Sequence, residues 1–205
     1  MGNDLTKSQM IVLTIAVFGI FLSGFMLFKT AREYKVAENE YDSLEKYTSK
    51  VETVSLGDAS LGSVAIEEEV TDEIKRNFNR SDFPDIAVDF DGLSSVNDQV
   101  VAWLYVGSVG ISYPVVQNPE EGENEYYLHH TFENESNSSG CIFMDWEVNP
   151  DLTSRNTFIY GHNMKNGSMF GSLKRLLRED GLYESDPYFY IFTRDGIYRY
   201  KIFSY

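Results

Sequence analysis

Residues 10–28, MIVLTIAVFGIFLSGFMLF, contain no charged side chain. No other stretch of the chain constrains its fold as strongly. As a helix the run would span roughly 28 Å, close to the ~30 Å hydrocarbon core of a bilayer. A cleaved leader carries a shorter apolar stretch and a small-x-small site after it. Here Lys29-Thr30-Ala31 follow, with a charge at the wrong place, so the run predicts an uncleaved single-pass anchor in membrane lipid. Its flanks leave the topology open. Lys7 precedes the run and Lys29, Arg32 and Lys35 follow it, a small bias toward a cytoplasmic C-terminal side that long domains override.

The anchor divides the chain of 205 residues into a short tail (1–9), a transmembrane helix (10–28), an acidic and partly helical juxtamembrane tether (29–85) and a β-rich domain (86–205). Residues 33–91 hold 16 acids and 6 bases, about two-thirds of the net charge of −15. A polyanion of this kind is a poor ligand for phosphate backbones, which excludes nucleic acid as a partner. Within the tether, SLGDASLGSV at 55–64 has the composition of a flexible link, and Glu67-Glu68-Glu69 reads as a solvated face. One cysteine, Cys141, excludes an intrachain disulfide framework and a thiolate-rich zinc site. Nothing in the chain asks for a cofactor.

Beyond residue 86 the pattern is that of strands. VVAWLYV at 100–106 is a continuous apolar run of strand length, and Val115-Val116 follows the extended dipeptide Tyr113-Pro114. Further strands are predicted at 141–146, 157–160, 188–193 and 197–205. The last two flank Asp195-Gly196, a strong hairpin signal. Met169, Phe170, Leu173, Leu176 and Leu177 make one apolar stripe and predict a helix over 168–178, with Ser168 as its N-cap. The final strand runs to Tyr205 with no closing turn or charged edge, so the barrel is expected to be incomplete.

Few residues offer chemistry. His162 follows an apolar strand in Tyr160-Gly161-His162-Asn163-Met164, where a scaffold presents functional side chains. His129 and His130 are adjacent and diverge on an extended chain, which favours a solvated loop over a metal site. Cys141 could pair with His162 as a nucleophile, yet it opens an apolar strand after Gly140, the setting of a small buried hydrophobe. Asp145 and Glu147 are expected to face solvent at a strand edge.

Seven ordered segments together resemble one family: DQVVAWL at 98–104, ISYPVVQ at 111–117, EYYL at 125–128, GCIFMD at 140–145, NTFIYGHNM at 156–164, GSMF at 167–170 and YKIFS at 200–204. They are similar to the class B sortases, membrane-anchored cysteine transpeptidases of Gram-positive bacteria. The resemblance implies a mainly β, sortase-like β-barrel of eight strands, here incomplete with its last strands missing, behind an N-terminal transmembrane helix. It implies a C-terminal domain outside the cell. It also implies a Cys thiolate that attacks a C-terminal sorting motif of surface proteins, of an Asn-Pro-x-Thr type. A His then protonates the leaving amine, an Arg steadies the oxyanion, and a cell-wall precursor amine resolves the thioester.

Residue by residue, His162 matches the catalytic histidine. The family's nucleophile sits in a Thr-Leu-x-Thr-Cys strand with the Arg on the next, and neither motif occurs in the sequence. Cys141 aligns with a small structural position, and Arg155, Arg194 and Arg199 all precede the place of the family's Arg. The resemblance therefore implies an enzyme inactive as written. The alternative is a non-catalytic, membrane-tethered β domain that binds a partner or sorting signal.

Overall fold

A computed structural model describes residues 6–50 and 82–205. The acidic segment at 67–69 and the 55–64 link lie outside the described residues.

Strand β3 (Val100–Val106) is apolar throughout because it lies inside a sheet and is covered on both faces. Alternate side chains enter two cores. Ala102, Leu104 and Val106 join Ile111, Val115, Ile142, Met144 and Ile191, while Val100 and Trp103 join Val116, Phe132, Cys141, Phe143 and Phe192. The same period of two places Cys141 and Phe143 in the second core and Ile142 and Met144 in the first.

β3 pairs antiparallel with β4 (Ile111–Val116) across a short turn in which Gly110 takes φ +73°, a left-handed conformation that glycine adopts without steric cost. β4 then pairs in parallel with β5 (Phe143–Met144), and β5 antiparallel with β6 (Ile159–Tyr160). On the other side β3 pairs with β7 (Tyr188–Phe192), and β7 with β8 (Ile197–Lys201), through the turn expected at Asp195-Gly196. The order β6-β5-β4-β3-β7-β8 is a curled, open mixed sheet whose edges are β6 and β8. This curled half-barrel is the mainly β architecture expected. β8 stops at Lys201, four residues before the predicted end, although the Ile202 amide still donates to the Pro187 carbonyl at 2.8 Å.

The N-terminal helix is longer than the apolar run, and one expectation needs correction. Helix α1 (Lys7–Leu44) begins near the predicted apolar run but does not end with it. It continues into the polar stretch, the partly helical part of the tether, and buries Ala37 and Leu44 against the domain. Thr6 caps its first turn in a reciprocal capping box with Gln9. The helix predicted over 168–178 is instead a 3₁₀ segment (Phe170–Lys174) followed by one α turn, α3 (Arg175–Arg178). The Ser168 hydroxyl bonds Asn166 and caps nothing, and Met169 sits at φ +50°. The tighter 3₁₀ winding rotates the stripe, so Leu176 is buried while Leu177 is 69% exposed. The smaller elements are β1 (Thr48–Lys50) pairing with β2 (Ile86–Val88), α2 (Phe90–Val96) and α4 (Leu182–Ser185).

Candidate active site at the end of β6

The pairing of β5 with β6 places Phe143 opposite Tyr160, and the Asp145 amide extends this ladder by donating to the Phe158 carbonyl at 3.0 Å. With side chains alternating, Phe143, Asp145 and Tyr160 fall on one face, and His162 follows two residues after Tyr160. Together with Asn124, Leu128 and Asn163 these residues, Asp145 excepted, line an open pocket of about 410 Å³.

His162 is half-buried, and its Nε2 lies 3.0 Å from the Leu128 carbonyl oxygen. A carbonyl can only accept, so Nε2 carries the hydrogen and the neutral ring keeps its lone pair on Nδ1. Nδ1 makes no hydrogen bond among the described residues, which leaves an oriented imidazole able to give or take a proton. Gly161 permits this placement. A Cβ there would run into Ile142 Cδ1 and crowd the Phe170 ring. The loop after His162 closes on itself, with the Phe170 amide donating to the His162 carbonyl at 3.1 Å and Asn163 bridging to Met169.

Asp145 holds the pocket wall. It is 8% exposed, against the expectation of a solvent-facing acid. Its Oδ2 accepts the Tyr160 hydroxyl at 2.9 Å and Asn124 Nδ2 at 3.0 Å, and its Oδ1 accepts the Glu147 amide at 2.9 Å. Asn124 completes the clamp by accepting the Trp146 amide at 3.0 Å. Burial pulls the Asp145 carboxyl upward, but these three donors outweigh it and leave the pKa below its ordinary value. The same bond raises the Tyr160 hydroxyl. An isolated Asp in an acidic sequence gave no sign of this role. The partners lie 15 and 21 residues away, and only the fold brings them together.

The other chemically interesting residues lie elsewhere. Cys141 is 1% exposed inside the second core, and burial pushes its thiol well above the usual range, so it stays protonated. His129 is exposed, whereas His130 stacks on Tyr126 at 4.1 Å with Nδ1 2.8 Å from the Tyr126 carbonyl. Arg194 binds Asp91, the Phe90 carbonyl and Ser94, and Arg199 pairs with Asp82 beneath Tyr188. Arg155 borders a separate apolar groove between the 152–177 region and the C-terminal residues. No arginine or thiol lines the His162 pocket among the described residues.

The sortase domain family matches residues 104–205, which include every strand from β4 onward and the whole His162 pocket. The chain belongs to the sortase family, and its relatives are of class B. It is 29% identical over 191 residues to sortase B of Listeria monocytogenes, covering 93% of this chain and 65% of that protein. It is 30% identical over 115 residues to sortase B of Staphylococcus aureus, covering 56% of this chain and 46% of that one. A crystal structure of sortase B from Bacillus anthracis superposes with a TM-score of 0.50 and 36% identity, over 56% of this chain and 53% of that one. The chain thus spans under two-thirds of the length of the curated sortases it matches.

Proposed function

We propose that His162 is the acid–base histidine of a class B sortase-type cysteine transpeptidase, and that the pocket beside it receives a sorting-motif peptide of the Asn-Pro-x-Thr type. The observation that carries this reading is the 3.0 Å contact of His162 Nε2 with the Leu128 carbonyl, which orients the ring at the rim of an open pocket. In the full reaction a thiolate attacks the motif's carbonyl carbon and the C–N bond breaks. The imidazolium gives its proton to the departing amine. A cell-wall precursor amine then displaces the sulfur from the thioester, releasing the thiol. Cys141 is not that nucleophile, because it is buried, protonated and outside the pocket. The polypeptide of residues 1–205 is accordingly inactive by itself. Anchored through residues 10–28, the domain stands on the outer surface of the cell membrane.

The test is titration of the full chain, its histidine rings ¹⁵N-labelled, with an Asn-Pro-x-Thr peptide. Selective movement of the His162 signals, with no peptide cleaved and no adduct on Cys141 by mass spectrometry, is the expected result. A thioester on Cys141, or a peptide that leaves His162 unmoved at saturation, would overturn it. The buried thiol also supports a second reading, a domain that binds a sorting signal without cleaving it; turnover by any protein that carries this pocket together with an accessible thiol rules that out.

A further inference from the structure

The half of α1 beyond the apolar run touches both segments that fix His162. On one side, the Glu33 carbonyl accepts Asn137 Nδ2 at 3.0 Å, the Glu33 carboxylate accepts the Ser138 hydroxyl, and Glu40 Oε1 accepts the Glu133 amide at 2.9 Å. These three partners belong to the 128–140 loop. That loop folds back on itself, with the Asn137 amide on the His129 carbonyl at 2.9 Å and the Cys141 amide on the Tyr127 carbonyl at 3.0 Å. Leu128, whose carbonyl holds His162 Nε2, lies between those two ties.

On the other side, the Tyr41 ring packs against Tyr113 at 4.5 Å, and the Tyr113 hydroxyl accepts the Met169 amide at 3.2 Å. Met169 is 1% exposed and bridges to Asn163, the residue after His162. Its neighbour Phe170 donates to the His162 carbonyl. Glu33, Glu40 and Tyr41 therefore reach the ring and the backbone of one histidine by two separate routes.

We infer that the stretch of α1 from Glu33 to Tyr41 is a positioning element for His162, so that the helix leaving the membrane sets the tautomer of the catalytic imidazole. The inference rests on the acid–base role proposed above. It adds that the domain cut free of α1 presents a differently held ring. Loosening the 128–140 loop withdraws the Leu128 acceptor from Nε2–H, and the neutral ring then redistributes its hydrogen toward Nδ1. Glu33, Glu40 and Tyr41 touch no reacting atom.

The experiment uses the full chain in phospholipid nanodiscs with ¹⁵N-labelled histidine rings. Only three histidines are present, and His129→Gln and His130→Gln assign the signals. In Glu40→Ala and Tyr41→Leu the Nδ1–H tautomer of His162 should rise several-fold above pH 8. Glu40→Gln, which keeps an acceptor oxygen for the Glu133 amide, should return it to the unaltered value. Glu38→Ala, on the exposed side of the same helix, should leave it unchanged. If Glu40→Ala does not fold, Glu33→Ala at its half-exposed position takes its place. Wild-type tautomer populations in both core variants would overturn the inference, and so would an equal change in Glu38→Ala. The readout needs neither peptide nor turnover, so it fails or succeeds independently of the transpeptidase reading.

Discussion

Tyr160 donates its hydroxyl to Asp145 across 2.9 Å, joining the last residue of β6 to the chain just past β5 at the entrance to the His162 loop. The bond spans two strands that share only two residue pairs. The short ladder is extended by the Asp145 amide on the Phe158 carbonyl and tied across by this carboxylate.

Replacing Asp145 by Ala should leave the Tyr160 hydroxyl, Asn124 amide and Glu147 amide without their acceptor. A loss of about 1–3 kcal/mol in chemical denaturation is expected. Tyr160→Phe should cost less, about 1 kcal/mol, and the double variant should fall short of the sum because both remove one bond. A strictly additive pair would show that the bond carries no weight.

The lowered Asp145 pKa gives that stability a sign with pH. The unfolded carboxyl binds its proton more readily than the folded one, so the contribution is complete above the ordinary carboxylate range. It disappears as pH falls through the lower folded value. The gap in urea midpoint between the unaltered chain and Asp145→Asn should therefore be constant near neutrality and close under acid conditions. A gap that widens on acidification would contradict the three-donor geometry.

Cys141 should be inert toward aromatic disulfide reagents in the native protein and react fully in denaturant, since its thiol is buried and protonated. Cys141→Ala removes one sulfur from a packed core and should cost about 1 kcal/mol without moving the His162 ring signals. Rapid native labelling would mean that the second core opens.

Gly161→Ala should destabilise the domain by about 1–3 kcal/mol, because the added methyl meets Ile142 and Phe170 and one of them must move. The displacement reaches His162 directly. Its ring signals should shift more in this variant than in Gly196→Ala, where a Cβ meets open space.

What the sequence revealed about this fold was what local patterning encodes. The apolar run of β3, the Asp-Gly turn between β7 and β8, the helix through residues 10–28 and the strand-end place of His162 all rest on neighbours a few residues apart. The 168–178 helix failed because one backbone conformation, Met169 at φ +50°, broke a periodic stripe that composition could not distinguish from a helix. The pocket was invisible for a different reason. His162 meets Leu128 across 34 residues and Asp145 meets Asn124 across 21, and neither contact leaves a pattern in the chain. The resemblance to sortases supplied the histidine but not the carboxylate that braces its wall.

The unbroken run of α1 has a mechanical consequence. With residues 10–28 in a bilayer, Leu44 stands about 24 Å beyond Phe28 along the same rigid axis. A domain packed along residues 33–44 of that helix would then rise and turn with it. Its height is fixed by helix rise, and the compass bearing of the His162 pocket by the rotation of the helix in the lipid. Adding or deleting one residue between Phe28 and Glu33 would turn that bearing by about 100° while barely changing the height, so orientation and reach can be varied separately.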